Sequence, residues 1–303
     1  MLRISLIIAT YNRAEALIEA LRSVTAQELP TDEWECVVVN NNSQDDTPER
    51  FAAFAEAHPR ANLRIVTETR QGLSHARNRG IAESRAPYLA IIDDDERIDP
   101  QFLSSYVALF DSRPDAASAG GPIVPEYPEG RPAWMSRYTE RPIANPLDLG
   151  DRIRLFPRGR IPGGGNMALR RSVVARCGGF DPALGRTGER LIGGEESDLF
   201  ERLAAAGERC YYVPTAVMHH IIPARKASPE YLAALSFQIG RTQRLRAEKR
   251  GRTGALLLCE AMKWGATLLL SAGFLCGGTP SKARMLLLLR RRITQGILHR
   301  RQE

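Results

Sequence analysis

With 303 residues, 43% hydrophobic and 25% charged, the chain has the composition of an ordinary globular protein able to bury a full core, which argues against a disordered or fibrous chain. The formal charge of +7 is uneven: from Arg241 onward 14 Lys or Arg face 3 acids, a net of +11, leaving −4 for everything before. Five cysteines without CxxC spacing argue against a disulfide framework or zinc site and fit a reducing, cytoplasmic setting, and the N-terminus has neither the length nor the flanks of a signal peptide.

Residues 4–9 form an apolar run that predicts a strand, followed by Thr10-Tyr11-Asn12-Arg13 and an amphipathic helix carrying Leu17, Ile18, Leu21 and Val24. A second strand at 36–39 ends in Asn40-Asn41-Asn42-Ser43, with a helix starting at Thr47-Pro48. A third strand at 63–67 precedes a helix opening near Ser74. The fourth, residues 88–92, breaks directly into Asp93-Asp94-Asp95-Glu96. This β-α alternation predicts a doubly wound, mostly parallel sheet, whose ligand crevice lies outside the carboxyl ends of its strands. Four crowded carboxylates there call for a cation, and hard oxygen ligands suit Mg²⁺ or Mn²⁺ with a diphosphate. The competing reading is an acidic turn before a helix with Asp99 as N-cap and Pro100 at its first position.

Residues 120–162 hold eight prolines and little periodicity, which predicts a long loop over the sheet edge. Gly163-Gly164-Gly165-Asn166 then leads through Met167 to Arg171 into a short helix, and a glycine-rich mobile segment is expected at 185–194. Glu195 and Glu196 fall in the first turn of the next helix, where helix-dipole complementarity alone would account for them. A further strand at 210–214 precedes His219-His220. Beyond 228 three helices are expected. The stretch 255–276 is apolar apart from Glu260 and Lys263, which fits an interfacial or re-entrant helix, or a packed helical subdomain, better than a spanning one. Basic residues beside it favour anionic lipid, and the absence of interleaved aromatics argues against nucleic acid.

Taken together, Thr10-Tyr11-Asn12-Arg13, Asn40-Asn41-Asn42-Ser43, Gly72-Leu73-Ser74-His75-Ala76-Arg77-Asn78-Arg79-Gly80, Asp93-Asp94-Asp95, Gly165-Asn166 and Gly194-Glu195-Glu196 resemble, in order and spacing, the family 2 glycosyltransferases. The resemblance implies an α/β GT-A fold, Rossmann-like with a mostly parallel central sheet, over residues 1–227. Of these, 1–120 would bind the nucleotide and 121–227 the acceptor; beyond the resemblance, the basic and apolar residues 228–303 are expected to form a membrane-associated helical extension. It implies inverting transfer from a nucleotide-diphosphate sugar, by default a UDP-sugar, to a glycan or lipid-linked acceptor at the inner membrane face. Thr10, Tyr11, Asn12, Arg13, Asn40, Arg77, Asp93 and Asp94 would hold the nucleotide sugar, Asp95 and His219 the metal, and Gly165, Asn166 and Glu195 the donor-sugar or acceptor side. Glu196 would be the base.

Two departures from the family pattern bear on this. The family usually has an aspartate where this chain has Asn40, which loosens the expectation for the base, and Glu196 stands where an aspartate is usual. Both departures also leave room for a non-catalytic nucleotide-sugar-binding or membrane assembly subunit.

Overall fold

The computed structural model describes residues 1–185 and 193–299, which fall into two compact units. The glycine-rich segment expected at 185–194 lies mostly outside the described residues. The first unit spans residues 1–126, 146–189 and 194–221. Its first half follows the predicted alternation: β1 (Ile4–Thr10), α1 (Ala14–Thr25), β2 (Trp34–Asn40), α2 (Thr47–Ala57), β3 (Leu63–Thr67), α3 (Leu73–Glu83) and β4 (Tyr88–Asp93). β1 and β2 are buried along their whole length, as parallel strands covered on both faces must be. One face packs under Leu17, Leu21 and Val24 of α1, and the other, through Ile7, Val37 and Val39, packs beneath α3.

The second half departs from simple alternation. β5 (Glu96–Ile98) follows β4 after a two-residue turn, and α4 (Phe102–Ser112) begins after Gln101, so Asp99 is not its N-cap. β6 (Ala116–Gly120), β7 (Ile123–Glu126) and β8 (Arg154–Leu155) come next in this unit. β9 (Met167–Arg170), α6 (Arg171–Cys177), α7 (Glu195–Ala205), β10 (Arg209–Tyr212) and β11 (Met218–Ile221) complete it. The main sheet has the order β3-β2-β1-β4-β9-β6-β10-β8, and a small sheet has the order β5-β11-β7. The segment read as leading straight into a helix therefore contains β9, which lies antiparallel between β4 and β6. The proline-rich stretch read as a loop carries β7, β8 and the helix α5 (Arg137–Ala144). The mixed α/β class with a mostly parallel central sheet stands.

The second unit comprises residues 127–145, 190–193 and 222–303. Its described part holds α5, α8 (Pro229–Lys249), α9 (Thr253–Cys276) and α10 (Pro280–Leu298). Ile143, Leu232, Leu235, Met285, Leu289, Ile293 and Ile297 form its core. α8 and α10 approach backbone to backbone, since a Cβ on Gly240 would overlap the Ile293 carbonyl and one on Gly296 the Phe237 carbonyl.

Candidate active site

β1, β2 and β4 end in register, with Thr10 opposite Asn40 and Ala9 opposite Asp93, so their carboxyl ends share one edge of the sheet. Along that edge two groups stand out among the expected residues. Thr10, Arg13, Asp94 and Asp95 form a brace. Thr10 Oγ1 donates to Asp94 Oδ2, and Arg13 Nη1 donates to Asp94 Oδ1 and Asp95 Oδ2, each at 2.9 Å. Burial foremost, with Asp95 and Asp93 adding, lifts the Asp94 carboxyl to about 6 against the pull of Arg13 and Thr10. Asp94 is thus a buried anchor of the acidic turn. Asn12 and Asn40 tie the neighbouring loops, where Asn12 Oδ1 accepts from the Gln44 amide and Asn40 Oδ1 from the Ser43 amide. Tyr11 stands exposed beside them.

The second group is a buried ion cluster centred on Arg77, whose side chain is 1% exposed. Its Nη2 donates to Asp93 Oδ1 at 2.8 Å and to the Gly164 carbonyl at 3.2 Å, and its Nη1 donates to Glu196 Oε1 at 2.9 Å and Glu195 Oε1 at 3.2 Å. The Phe180 ring lies against the guanidinium, 5.4 Å from Cζ to centroid. The sequence expectation gave this arginine to the nucleotide. In the structure both terminal nitrogens are occupied by protein, and they link Asp93 to the helix bearing Glu195 and Glu196.

Those two glutamates open α7 after Gly194, whose φ of 118° is one that a residue with a side chain rarely adopts. Their environments push them apart. Burial foremost, then the charge of Glu196, raises the Glu195 carboxyl to about 8. Burial would raise Glu196 as well, but the field and hydrogen bond of Arg77 and a hydrogen bond from Glu195 hold it below the usual glutamate range. At neutral pH the pair is a neutral acid beside an ionised carboxylate.

Asp93, Asp95 and Glu96 each bring a carboxylate oxygen to within 4.8 Å of the others. Glu96 is buried, and one of its oxygens accepts from the Asp93 amide at 2.7 Å. Burial foremost, then Asp93 and Asp95, raises its carboxyl well above the usual value, a repulsion that a bound cation would relieve. The oxygen-only donor set suits Mg²⁺ or Mn²⁺. The glycine run folds over this cluster: a Cβ on Gly165 would overlap the Glu96 carboxylate, and one on Gly164 would overlap Glu196 Oε1. Close approach to two carboxylates therefore accounts for Gly164 and Gly165.

Two expected residues sit elsewhere. His219 Nε2 lies 2.9 Å from Asp99 Oδ1, and its Nδ1 lies 2.8 Å from Glu126 Oε1 without hydrogen-bond geometry. Side chains alternate along β11, and it is His220 whose Nε2 comes to 3.9 Å from Asp95 Oδ1. Asn166 is fully buried: its amide donates to the carbonyls of Pro122 and Ala216, and its oxygen accepts from the Tyr106 hydroxyl. It braces the start of β9 from beneath. Glu96 and Phe180 were not singled out by sequence reasoning, which named His219 for the metal and left open whether His220 takes its place. Glu96 stood in the acidic run.

The model of the family described as Glycosyl transferase family 2 matches residues 5–178, more than half of the chain and all of the cluster except Phe180, His220 and the two glutamates of α7. The chain belongs to glycosyltransferase family 2. It is 25% identical over 255 residues to the glucosyl-dolichyl phosphate glucuronosyltransferase of Haloferax volcanii, covering 80% of this chain and 77% of that protein. To the succinoglycan biosynthesis protein ExoM of Rhizobium meliloti it is 29% identical over 252 residues, 82% of this chain and 76% of that one. Among solved structures it resembles the Pyrobaculum calidifontis mannosyltransferase PcManGT in complex with GDP-Man and Mn²⁺. There the TM-score is 0.65 at 20% identity, over 98% of this chain and 87% of that one. It also resembles S. aureus TarS 1-349 in complex with UDP-GlcNAc, with a TM-score of 0.57 at 16% identity over 79% and 66% of the two chains. At these identities the structural likeness establishes the GT-A fold of this glycosyltransferase and nothing about its donor.

Proposed function

We propose that this glycosyltransferase moves a sugar from a nucleotide-diphosphate donor, by preference a UDP-sugar, to a glycan or lipid-linked acceptor with inversion at the anomeric carbon. The observation that carries the reading is the Arg77 cluster, which joins an acidic turn fit for a metal–diphosphate to an ionised glutamate from a separate segment. Inversion needs that separation, because the base must work on the face of the sugar opposite the leaving diphosphate. Glu196 takes the acceptor hydroxyl proton as the oxygen attacks the anomeric carbon and the bond to diphosphate breaks. Asp95, Glu96 and the free side of Asp93 would hold a divalent cation, which when bound neutralises the leaving diphosphate. Of the two histidines, His220 is the one near enough to contribute. Tyr11 offers an exposed ring for the base, and Asn40 and Asn12 shape the loops beside it.

The relatives named for a dolichyl phosphate substrate and for succinoglycan support an acceptor in lipid-linked or polysaccharide synthesis. We place the protein at the cytoplasmic face of the membrane, held peripherally by its C-terminal helices. The deciding test is calorimetric binding of UDP and GDP with and without Mn²⁺, to the wild type and to Asp95→Asn. Metal-dependent UDP binding lost in the variant is expected. Preferential GDP binding would redirect the donor to guanosine, and binding of neither by folded protein would overturn the reading.

A further inference from the structure

α9 is built inside out. Its buried positions are the polar ones, Glu260, Thr267 and Ser271, and its exposed positions include Leu257, Leu258, Met262, Leu268, Leu269 and Leu275, with Leu269 77% exposed. A helix of a soluble domain normally does the reverse. The inward polar groups are met by α10: Arg290 Nη1 donates to Glu260 Oε2 at 3.0 Å, Thr294 Oγ1 donates to Glu260 Oε1 at 2.6 Å, and Trp264 Nε1 donates to Thr294 Oγ1 at 2.9 Å. Arg290 Nε reaches Thr267 Oγ1 at 3.3 Å.

At 100° per residue Glu260, Thr267, Ser271 and Trp264 share one narrow stripe. The opposite two thirds of the helix carries Leu, Ala, Gly, Met and Cys side chains and no charge. Lys263 lies at the border of the polar stripe, where its ammonium can reach headgroups while its stem covers apolar surface. Exposed Arg252 precedes the helix, and exposed Arg284 and Arg291 lie on its partner α10. An exposed apolar helix face in a unit that also exposes cations beside it in the chain and on its packing partner suits the boundary between acyl chains and anionic headgroups. At 24 residues α9 is long enough to cross a bilayer. Crossing would carry the Glu260–Arg290 pair and the rest of α10's charge into hydrocarbon, whereas lying flat leaves them on the aqueous side.

We infer that α9 docks in the plane of an anionic bilayer through the face bearing Leu258, Met262 and Leu269, with α10 as its polar backing. This rests on the membrane placement proposed above and specifies how contact is made.

The test is co-flotation of the full-length protein with phosphatidylcholine vesicles containing phosphatidylglycerol. The readouts beside it are thermal unfolding, UDP and GDP binding with Mn²⁺, and sedimentation velocity without lipid. The double substitution Leu258→Glu and Leu269→Glu is expected to lower vesicle partition by more than about tenfold, with unfolding and nucleotide binding unchanged. A fluorophore on Cys259 or on Cys276, both exposed, with the other replaced by serine, should report shallow depths in the same leaflet by quenching with spin-labelled lipids, Cys276 the deeper because it lies near the centre of the docking face and Cys259 toward its side. Probes in opposite leaflets would overturn the in-plane arrangement. So would wild-type protein that does not float, or variants altered only in self-association, which would assign the face to a second copy of the chain. Nucleotide binding reports separately: its loss in protein that still floats would sink the transferase reading and leave the docking intact.

Discussion

Replacing Arg77 by methionine keeps most of the side-chain volume and removes the cation that links Asp93, Glu195 and Glu196. Breaking a buried ion pair by deleting one partner costs about 3–5 kcal/mol, because the remaining charge stays buried and uncompensated. Here Glu196 is left in that position, whereas Glu195, already neutral, is not. With a change of about 1 kcal/mol shifting the midpoint by roughly 3 °C in a chain of this size, the unfolding temperature should fall by about 10 °C. The same loss frees Glu196 to follow its burial, so its pKa rises and the acidic limb of the rate–pH profile moves to higher pH. Arg77→Lys should recover only part of both effects, since an ammonium cannot serve carboxylates on two sides with a planar fork. The assay is differential scanning fluorimetry beside kcat profiles and calorimetric UDP binding. An unchanged unfolding temperature together with abolished nucleotide binding would refute this reasoning and return Arg77 to the diphosphate.

Four other outcomes follow from the same geometry. Gly165→Ala should displace the Glu96 carboxylate and weaken Mn²⁺ binding, read by Mn²⁺ paramagnetic resonance, whereas the unstrained Gly254→Ala should not. Glu196→Gln should lower kcat by about 10²–10⁴ with nucleotide binding preserved, while Glu195→Gln, an isostere of a protonated acid, should retain most of the rate. The Glu195 carboxyl, at about 8 in the fold against 4.5 for an ordinary glutamate, means the native state holds the extra proton between these values. Stability should therefore fall as pH rises from about 4.5 to about 8, and Glu195→Gln should flatten that slope. His220→Ala should weaken metal-dependent nucleotide binding and His219→Ala should not; the opposite ranking would restore the sequence expectation.

The first 95 residues were the most readable because β1, β2 and β4 are continuous apolar runs, each followed at once by a polar segment. The same logic failed for β6 and β9. Ala116–Gly120 contains no β-branched residue, and Met167–Arg170 is too short and too close to the next helix for periodicity to separate strand from helix. The chemistry divided in the same way. The acidic turn and Glu195-Glu196 were visible as crowded charge, but the partner of Arg77 was not, because its carboxylates come from residues 16 to 119 positions away. The choice between His219 and His220 is set by β11's register with β5 and β7, a pairing no local pattern encodes.

The antiparallel β9 also dictates an order of events during synthesis. Among the described residues β6 pairs in the main sheet with β9 and β10 alone, so it cannot join β4 until residues 167–170 have been made. The half-sheet β3-β2-β1-β4 can close once Asp93 has emerged, and β4 then waits with a bare edge. At 5–20 residues per second that wait is roughly 4–15 s. An open apolar edge is a template for pairing with other chains, so this interval is the vulnerable one for the nascent protein. Substitutions that delay the docking of β9 will therefore show themselves as aggregation on the ribosome, in molecules whose finished form would be chemically unimpaired.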